Sequence, residues 1–172
     1  MKLFIYGILI LITFAFSISA QTPAKTEPLK TEPVLRVEVE NGKTLDLTTK
    51  DLAKFTRRDI KAKGHDEKES IYSGYNLSDI LFSASAKIGK DELRGKELGA
   101  YLVVEAADGY KATFSIAEIS ADFTDKVILL ADTRDGKPLD EKQGKWQVIV
   151  PDDKKHGRWV RQVTALRIKK VQ

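Results

Sequence analysis

The sequence predicts a small α+β domain with a mixed, mostly antiparallel sheet and a few short helices. Apolar and polar residues alternate with a period of two in several short segments, beginning at Leu35, which is typical of half-buried strands. Turn-forming pairs such as Asp108-Gly109 separate neighbouring segments and favour antiparallel hairpins. Apolar residues recur at clear helical spacing in one long segment, which starts at Leu77.

The domain opens with a predicted hairpin. Leu35, Val37 and Val39 share one face of a strand, and charged residues alternate with them. Asn41-Gly42 supplies a tight turn that requires positive φ angles, and residues 44–47 return as the partner strand.

Two helices and a strand are predicted next. Thr49 is a candidate N-cap for a short helix over residues 50–55, and residues 57–63 alternate as a strand. Residues 73–75 predict a turn, after which Asn76 caps the main helix. The apolar residues of that helix are Leu77, Ile80, Leu81, Ala84 and Ile88.

The second half of the domain is predicted to consist mostly of strands. Residues 127–131 form a continuous apolar run, which is typical of a strand buried on both faces, so we expect this strand to be central. A short helix is predicted over residues 115–119. The other predicted strands of this half cover residues 100–107, 110–114, 146–150 and 163–171.

The N-terminus predicts export. Met1-Lys2 precedes an apolar run, and small residues end that run at Ala20, so residues 1–20 predict a signal peptide in a periplasmic or secreted protein. An uncleaved anchor is the alternative, but the run is shorter than the roughly 20 residues that span a bilayer, so we expect no membrane span in the mature chain. Residues 21–33 lack a hydrophobic period and predict a disordered linker, which leaves one domain over residues 34–172.

Composition narrows the class of protein further. The sequence contains no cysteine, so a disulfide framework is excluded and the stability must come from the core. The formal net charge is +4 at pH 7, with acidic and basic residues interspersed. Because no basic stripe with interleaved aromatic residues occurs, we expect no nucleic-acid partner.

Several short motifs follow one another in a fixed order. They are YSGYNLSDIL (72–81), AADGY (106–110), SIAE (115–118), LLADTRDGKPL (129–139), VIVP (148–151) and RWVR (158–161). In order and spacing they resemble the oxidoreductase molybdopterin-binding domain of the sulfite oxidase family, in particular its small exported stand-alone members. The resemblance implies the sulfite oxidase fold and a cleft that binds molybdopterin.

The sequence departs from this family at two places. Members with molybdenum chemistry hold the metal through a cysteine thiolate upstream of the stretch matching residues 72–81, and this chain has no cysteine. Gln143-Gly144 stands where full-length enzymes of the family commonly have His-Gly. Both departures argue against catalysis, and whether the chain is an enzyme stays open at this point.

Arg158 and Arg161 are the candidate cofactor-binding residues. They match the family's phosphate- and pterin-contacting stretch. A guanidinium can bind a phosphate through two charge-assisted hydrogen bonds. We expect the two to form one anion-binding patch with no carboxylate to neutralise it. The alternative is a solvated basic turn, with Trp159 and Val160 packing inward.

Other sites have less support. His65 and His156 stand among charged neighbours, and no spacing in the sequence supplies the three or four ligands of a zinc site, so we expect no metal site. A nucleophile elbow and a Gly-rich phosphate loop are both absent from the sequence. Asp108 and Asp132 lie at strand ends, where turn formation is the simpler role for Asp108.

Three functions are therefore compatible with the sequence. The leading one is an exported, catalytically degenerate relative of the molybdopterin-binding domain, which binds a small anionic ligand or an envelope protein partner. The second is an oxidoreductase component that binds molybdopterin without cysteine ligation. The third is a structural envelope domain whose cleft binds nothing.

Overall fold

The structure is a computed structural model that describes residues 32–40, 42–89 and 92–171. The predicted signal peptide and most of the predicted linker lie outside the described residues. Within them, no helix is long and apolar enough to cross a membrane. The strands of this part are, in chain order, β1 (Val34–Val39), β2 (Thr44–Thr48), β3 (Arg57–Lys63), β4 (Glu69–Asn76), β5 (Ala100–Ala106), β6 (Lys111–Ser115), β7 (Leu129–Arg134), β8 (Lys137–Pro138), β9 (Gln147–Ile149) and β10 (Val163–Lys170).

The strands form two sheets. The first has the order β2-β1-β10-β5-β6, and its β1–β10 pair is parallel while its other pairs are antiparallel. The second has the order β3-β4-β7-β8, with β9 also paired to β7, and is wholly antiparallel. The α+β class with mostly antiparallel pairing is confirmed. The division into two sheets was not foreseen, because the period of two shows which face is buried but not which strand pairs with which.

Both sheets contribute to one buried core. Leu35 and Val37 of β1, Leu166 of β10 and Leu130 of β7 are fully buried members of the same apolar cluster. Because the domain has only short helices, each sheet covers most of its apolar face by packing into this shared core.

Two short α-helices directly follow strands β2 and β4. Helix α1 (Thr49–Leu52) begins one residue earlier than predicted, because Thr48 and Asp51 form a reciprocal capping box. Helix α2 (Leu77–Ser83) is capped by Asn76, as predicted, whose side chain accepts from the amide of Ser78 at 3.3 Å. The helix ends before Ile88 because Ser85 adopts a left-handed conformation with φ of 63°.

The predicted turn over residues 73–75 is wrong. These residues lie within β4, which continues without interruption to Asn76. Gly74 is needed for a different reason, since a Cβ atom at this position would lie 2.0 Å from the carbonyl oxygen of Leu130. Gly74 therefore allows β4 and β7 to approach each other closely at an irregularity in their pairing.

The prediction of a central, buried strand is confirmed in β7. It pairs with β4 on one side and with β8 and β9 on the other. Leu129, Leu130 and Ala131 are completely buried. The strand begins two residues later than the apolar run, and the carbonyl of Ile128 just before it accepts from the amide of Leu77 at the start of α2.

Three 3₁₀ turns complete the described chain, at Gly95–Gly99, Ile116–Glu118 and His156–Arg158. The second replaces the predicted helix over residues 115–119 and is capped by Ser115. The third lies in the connection between β9 and β10, which carries both candidate arginines.

Candidate functional site

Two adjoining cavities form a cleft beside the connection between β9 and β10. The first lobe has a volume of about 320 Å³ and the second a volume of about 170 Å³. His65, Lys142, Trp159 and Arg161 line both lobes and therefore form their shared wall. We call this two-lobed site the Arg161 cleft.

Arg161 projects from a firmly held segment. Trp159 is buried, and its indole Nε1 donates to the carbonyl of Val150 at 2.9 Å. On the other side, the amide of Gln162 donates to the carbonyl of Gln143 at 2.7 Å. Because the chain is held on both sides of Arg161, the backbone of this residue has a defined place at the cleft wall.

Positive charge is concentrated where the lobes meet. Among the described residues, no carboxylate lies within salt-bridge distance of Arg161 or Lys142, and both side chains are exposed. Asp108 lines only the first lobe and Asp140 only the second, whereas both cations line both lobes. An anion at the junction therefore meets two free cations.

The structure places Arg158 outside this cleft. Its guanidinium donates to both carboxylate oxygens of Asp153, at 2.9 and 2.7 Å, and to Glu118 at 2.9 Å. It also lies over the ring of Phe114, with its carbon 4.8 Å from the centroid. The expectation that Arg158 and Arg161 form one patch free of carboxylates is therefore wrong, because acidic residues distant in sequence occupy the donors of Arg158.

Asp66, Tyr72 and Arg134 form one wall of the second lobe. Arg134 donates to both carboxylate oxygens of Asp66, at 2.9 and 2.8 Å, and its guanidinium lies 5.5 Å from the ring centroid of Tyr72. This contact holds the pKa of Asp66 below its usual range. Burial raises the pKa of Tyr72, which keeps its hydroxyl protonated. This wall thus presents the Arg134–Asp66 ion pair and the neutral phenol of Tyr72 to the lobe.

Gln143 occupies the cleft position at which the family resemblance implies histidine. It lines the second lobe, and its side-chain amide donates to Oε1 of the buried Gln147 at 2.9 Å. Gly144 has φ of 75°, and a Cβ atom there would lie 2.8 Å from the Cα atom of Gln162. This Gln-Gly pair therefore supports the segment that carries Arg161.

The two histidines meet at the cleft although they are far apart in sequence. The ring centroids of His65 and His156 lie 4.5 Å apart, and His156 also meets Trp159 edge to face at 4.4 Å. Nε2 of His156 lies 2.8 Å from the carbonyl oxygen of Lys63. Partial burial, together with the neighbouring His156 and Arg161, lowers the pKa of His65.

No family model and no curated protein matches this sequence. Among solved structures, the sulfane dehydrogenase SoxCD from Paracoccus pantotrophus is similar to it, with a TM-score of 0.62 and 22% sequence identity. The match covers 81% of this chain and 39% of the dehydrogenase chain, so this chain spans much less than the whole length of that relative. The chain has a sulfite-oxidase-like fold. The fold implied by the order of the motifs is thereby confirmed, and at this identity the likeness concerns the fold alone.

The residues of the sulfite-oxidase-like fold in this chain do not fit molybdenum. The family resemblance implies that the protein holds this metal through a cysteine thiolate, and the chain has no cysteine to supply one. Within the described residues, no group of three or more His, Asp or Glu side chains is placed to hold a metal ion instead. The free cations of the cleft suit a phosphate group, so only the anionic part of such a cofactor has matching partners here.

The sequence named Arg161, together with Arg158, as a candidate, and it gave no sign that Lys142, His65 and His156 would lie beside Arg161. Lys142 directly precedes the Gln143-Gly144 pair, which is the one sequence signal that could have pointed to it. The histidine pair has no signal in the sequence, because its two members are brought together only by the packing of the β3–β4 turn against the β9–β10 connection.

Proposed function

We propose that this chain is an exported, non-catalytic protein that uses the Arg161 cleft to bind a small anionic ligand. The proposal rests on the position and surroundings of Arg161. It is exposed, lines both lobes, and has no carboxylate within salt-bridge distance among the described residues. A guanidinium in this position offers a charge-assisted pair of donors to a phosphate or carboxylate.

The size of the cleft favours a small ligand. Its larger lobe is about 320 Å³, which is at the lower end of the range for sites that take small molecules. The exposed ring of Tyr110 lines this lobe, and its hydroxyl donates to the carbonyl of Gly157 at 2.6 Å. A flat heterocycle that carries a phosphate, such as a pterin or a purine nucleotide, matches an aromatic wall next to a cationic junction.

Catalysis of the kind found in this family needs a metal ligand that this chain does not supply. Without a thiolate the chain lacks the sulfur ligand that molybdenum chemistry in this family uses. Arg134, which lines the second lobe, and Arg158, on the loop that carries Arg161, are already bound to carboxylates. The cleft thus keeps groups that bind an anion, and it lacks the metal ligand of the family's reaction.

Titration calorimetry with guanosine monophosphate tests the proposal, since its purine stands in for a pterin. Arg161→Ala is expected to weaken binding by about 10- to 100-fold, the loss expected for one hydrogen-bonded charge. Arg94→Ala is the matched control, because Arg94 is exposed and lines neither lobe. Binding should also weaken as salt is raised, because partly exposed charges are screened over about 8–10 Å.

Equal affinity of the wild type and Arg161→Ala, or no binding by the wild type, would overturn the proposed function. Metal analysis of protein purified from its native host tests the competing function. Molybdenum at about one equivalent would favour an oxidoreductase component that holds its cofactor without cysteine.

A further inference from the structure

The paired histidines of the Arg161 cleft are not used by the proposed binding of an anion to Arg161 and Lys142. His65 lines both lobes and His156 lines the first, with ring centroids 4.5 Å apart. Each histidine adds a positive charge when it is protonated, and the ordinary pKa of histidine lies near neutral pH. Their position beside the junction of the lobes gives these protons access to a bound anion.

The hydrogen bond of His156 defines which of its nitrogens is protonated. The carbonyl oxygen of Lys63 can only accept, so Nε2 of His156, at 2.8 Å, must carry a proton. In the neutral ring Nδ1 is then an acceptor, and it makes no hydrogen bond within the described residues. Protonation converts Nδ1 into a donor, so only the charged form of His156 offers this nitrogen to an anion.

The surroundings of His65 oppose its protonation when no anion is present. Partial burial disfavours the charged ring, and the neighbouring His156 and Arg161 raise the cost of a further positive charge. Asp66 and Glu67, on the same turn as His65, act in the opposite direction, but Asp66 is bound to Arg134. The other charged groups that line the cleft near the pair are Asp108, Lys142 and Asp140.

Resting on the proposed anion site, we infer that His65 and His156 complete that site when protonated, so that binding of an anion at Arg161 is coupled to uptake of protons. An anion between Arg161 and the rings stabilises the charged imidazoles, and the charged imidazoles stabilise the anion to the same extent. Affinity therefore rises as the pH falls, because acid favours the charged form of an imidazole. The protein therefore binds the anion at acidic pH and releases it at weakly alkaline pH.

Inorganic sulfate is a suitable probe, because its own charge stays constant over the pH range in which histidine titrates. Calorimetry is expected to show binding about tenfold tighter at about pH 5.5 than at about pH 8, with net proton uptake revealed by buffers of different ionisation heats. The double variant His65→Gln, His156→Gln is expected to reduce this ratio to below about twofold, and its unfolding temperature shows whether the fold is intact.

Two further variants separate this inference from the proposed function. His65→Gln alone changes an exposed side chain and should lose part of the pH dependence, with its unfolding temperature confirming an intact fold. Arg161→Ala should lose sulfate binding at both pH values. The inference alone would be overturned if the affinity for sulfate did not vary with pH, or if the pH dependence persisted in the double variant. It would also be overturned if a protein that binds guanosine monophosphate bound no sulfate. If the wild type binds neither sulfate nor guanosine monophosphate, the proposed function is overturned as well.

Discussion

Arg158 and Arg161 belong to one short connection, yet Arg158 is bound by carboxylates while Arg161 lines the cleft. The guanidinium of Arg158 bridges Asp153, within its own loop, and Glu118, at the end of the 3₁₀ turn after β6. Arg161 lines both lobes of the cleft instead. One arginine therefore positions the loop, and the other is available to a ligand.

Replacing Arg158 is expected to destabilise the fold. Arg158→Ala removes three charge-assisted hydrogen bonds and leaves Asp153 and Glu118 without their partner. Because these groups are partly exposed, we expect a loss of about 1–2 kcal/mol in the free energy of unfolding, measured by urea titration. Arg161→Ala is the matched control and should change it by less than about 0.5 kcal/mol. Equal losses in both variants would contradict the separate roles.

Truncating Leu129 should strongly destabilise the protein. Leu129 is completely buried in β7, which has strands paired on both sides. Leu129→Ala is expected to lower the free energy of unfolding by about 2–5 kcal/mol, the range for large-to-small changes in a packed core. Leu98, whose side chain is 41% exposed, serves as a control. A loss below about 1 kcal/mol at Leu129 in denaturant titration would mean that this strand is not central.

Adding a methyl group at Gly74 should destabilise the fold more than the small size of this group suggests. The new Cβ atom would lie 2.0 Å from the carbonyl oxygen of Leu130 and 2.6 Å from the Cα atom of Ala131, and backbone atoms cannot move aside as a flexible side chain can. Gly74→Ala is expected to unfold at a clearly lower temperature or to be recovered in poor yield. Gly99→Ala is the control, because its Cβ would meet no atom closer than 3.9 Å. Similar unfolding temperatures for the two variants would disprove the close approach of β4 and β7.

The Asp66–Arg134 pair should contribute to stability in a pH-dependent way. Arg134 lowers the pKa of Asp66, so the folded state favours the carboxylate. The stabilisation is present above the unfolded-state pKa of about 4 and is lost as the pH falls through the lower folded-state value. Asp66→Asn should therefore lower the unfolding temperature at about pH 7, and its difference from the wild type should shrink in acid. Asp59→Asn, in which an exposed carboxylate changes, is the control. A difference that grows in acid would contradict this assignment.

Export predicts a defined mature N-terminus. If residues 1–20 are removed as a signal peptide, protein recovered from outside the cytoplasm begins near Gln21. Intact-mass measurement on that material is expected to show the shortened chain. A mass that still includes Met1 would show that the apolar segment is retained.

Local sequence patterns predicted most of the individual elements. The alternation in β1, the Asp108-Gly109 turn, the Asn76 cap and the apolar run of β7 each depend on residues close together in the chain. Gly74 shows where such patterns fail. A glycine in a turn and a glycine beneath a neighbouring strand look the same in sequence, and only the position of Leu130 distinguishes them.

The sequence by itself determined the fold class, the buried central strand and the choice of Arg161 as a candidate ligand residue. Tertiary structure decided the division into two sheets, the binding of Arg158 by Glu118, and the meeting of His65 with His156. The physical reason is the range of the interactions. Periodicity, capping and turn formation act between near neighbours, whereas ion pairs and cleft walls join residues that come together only when the core has packed.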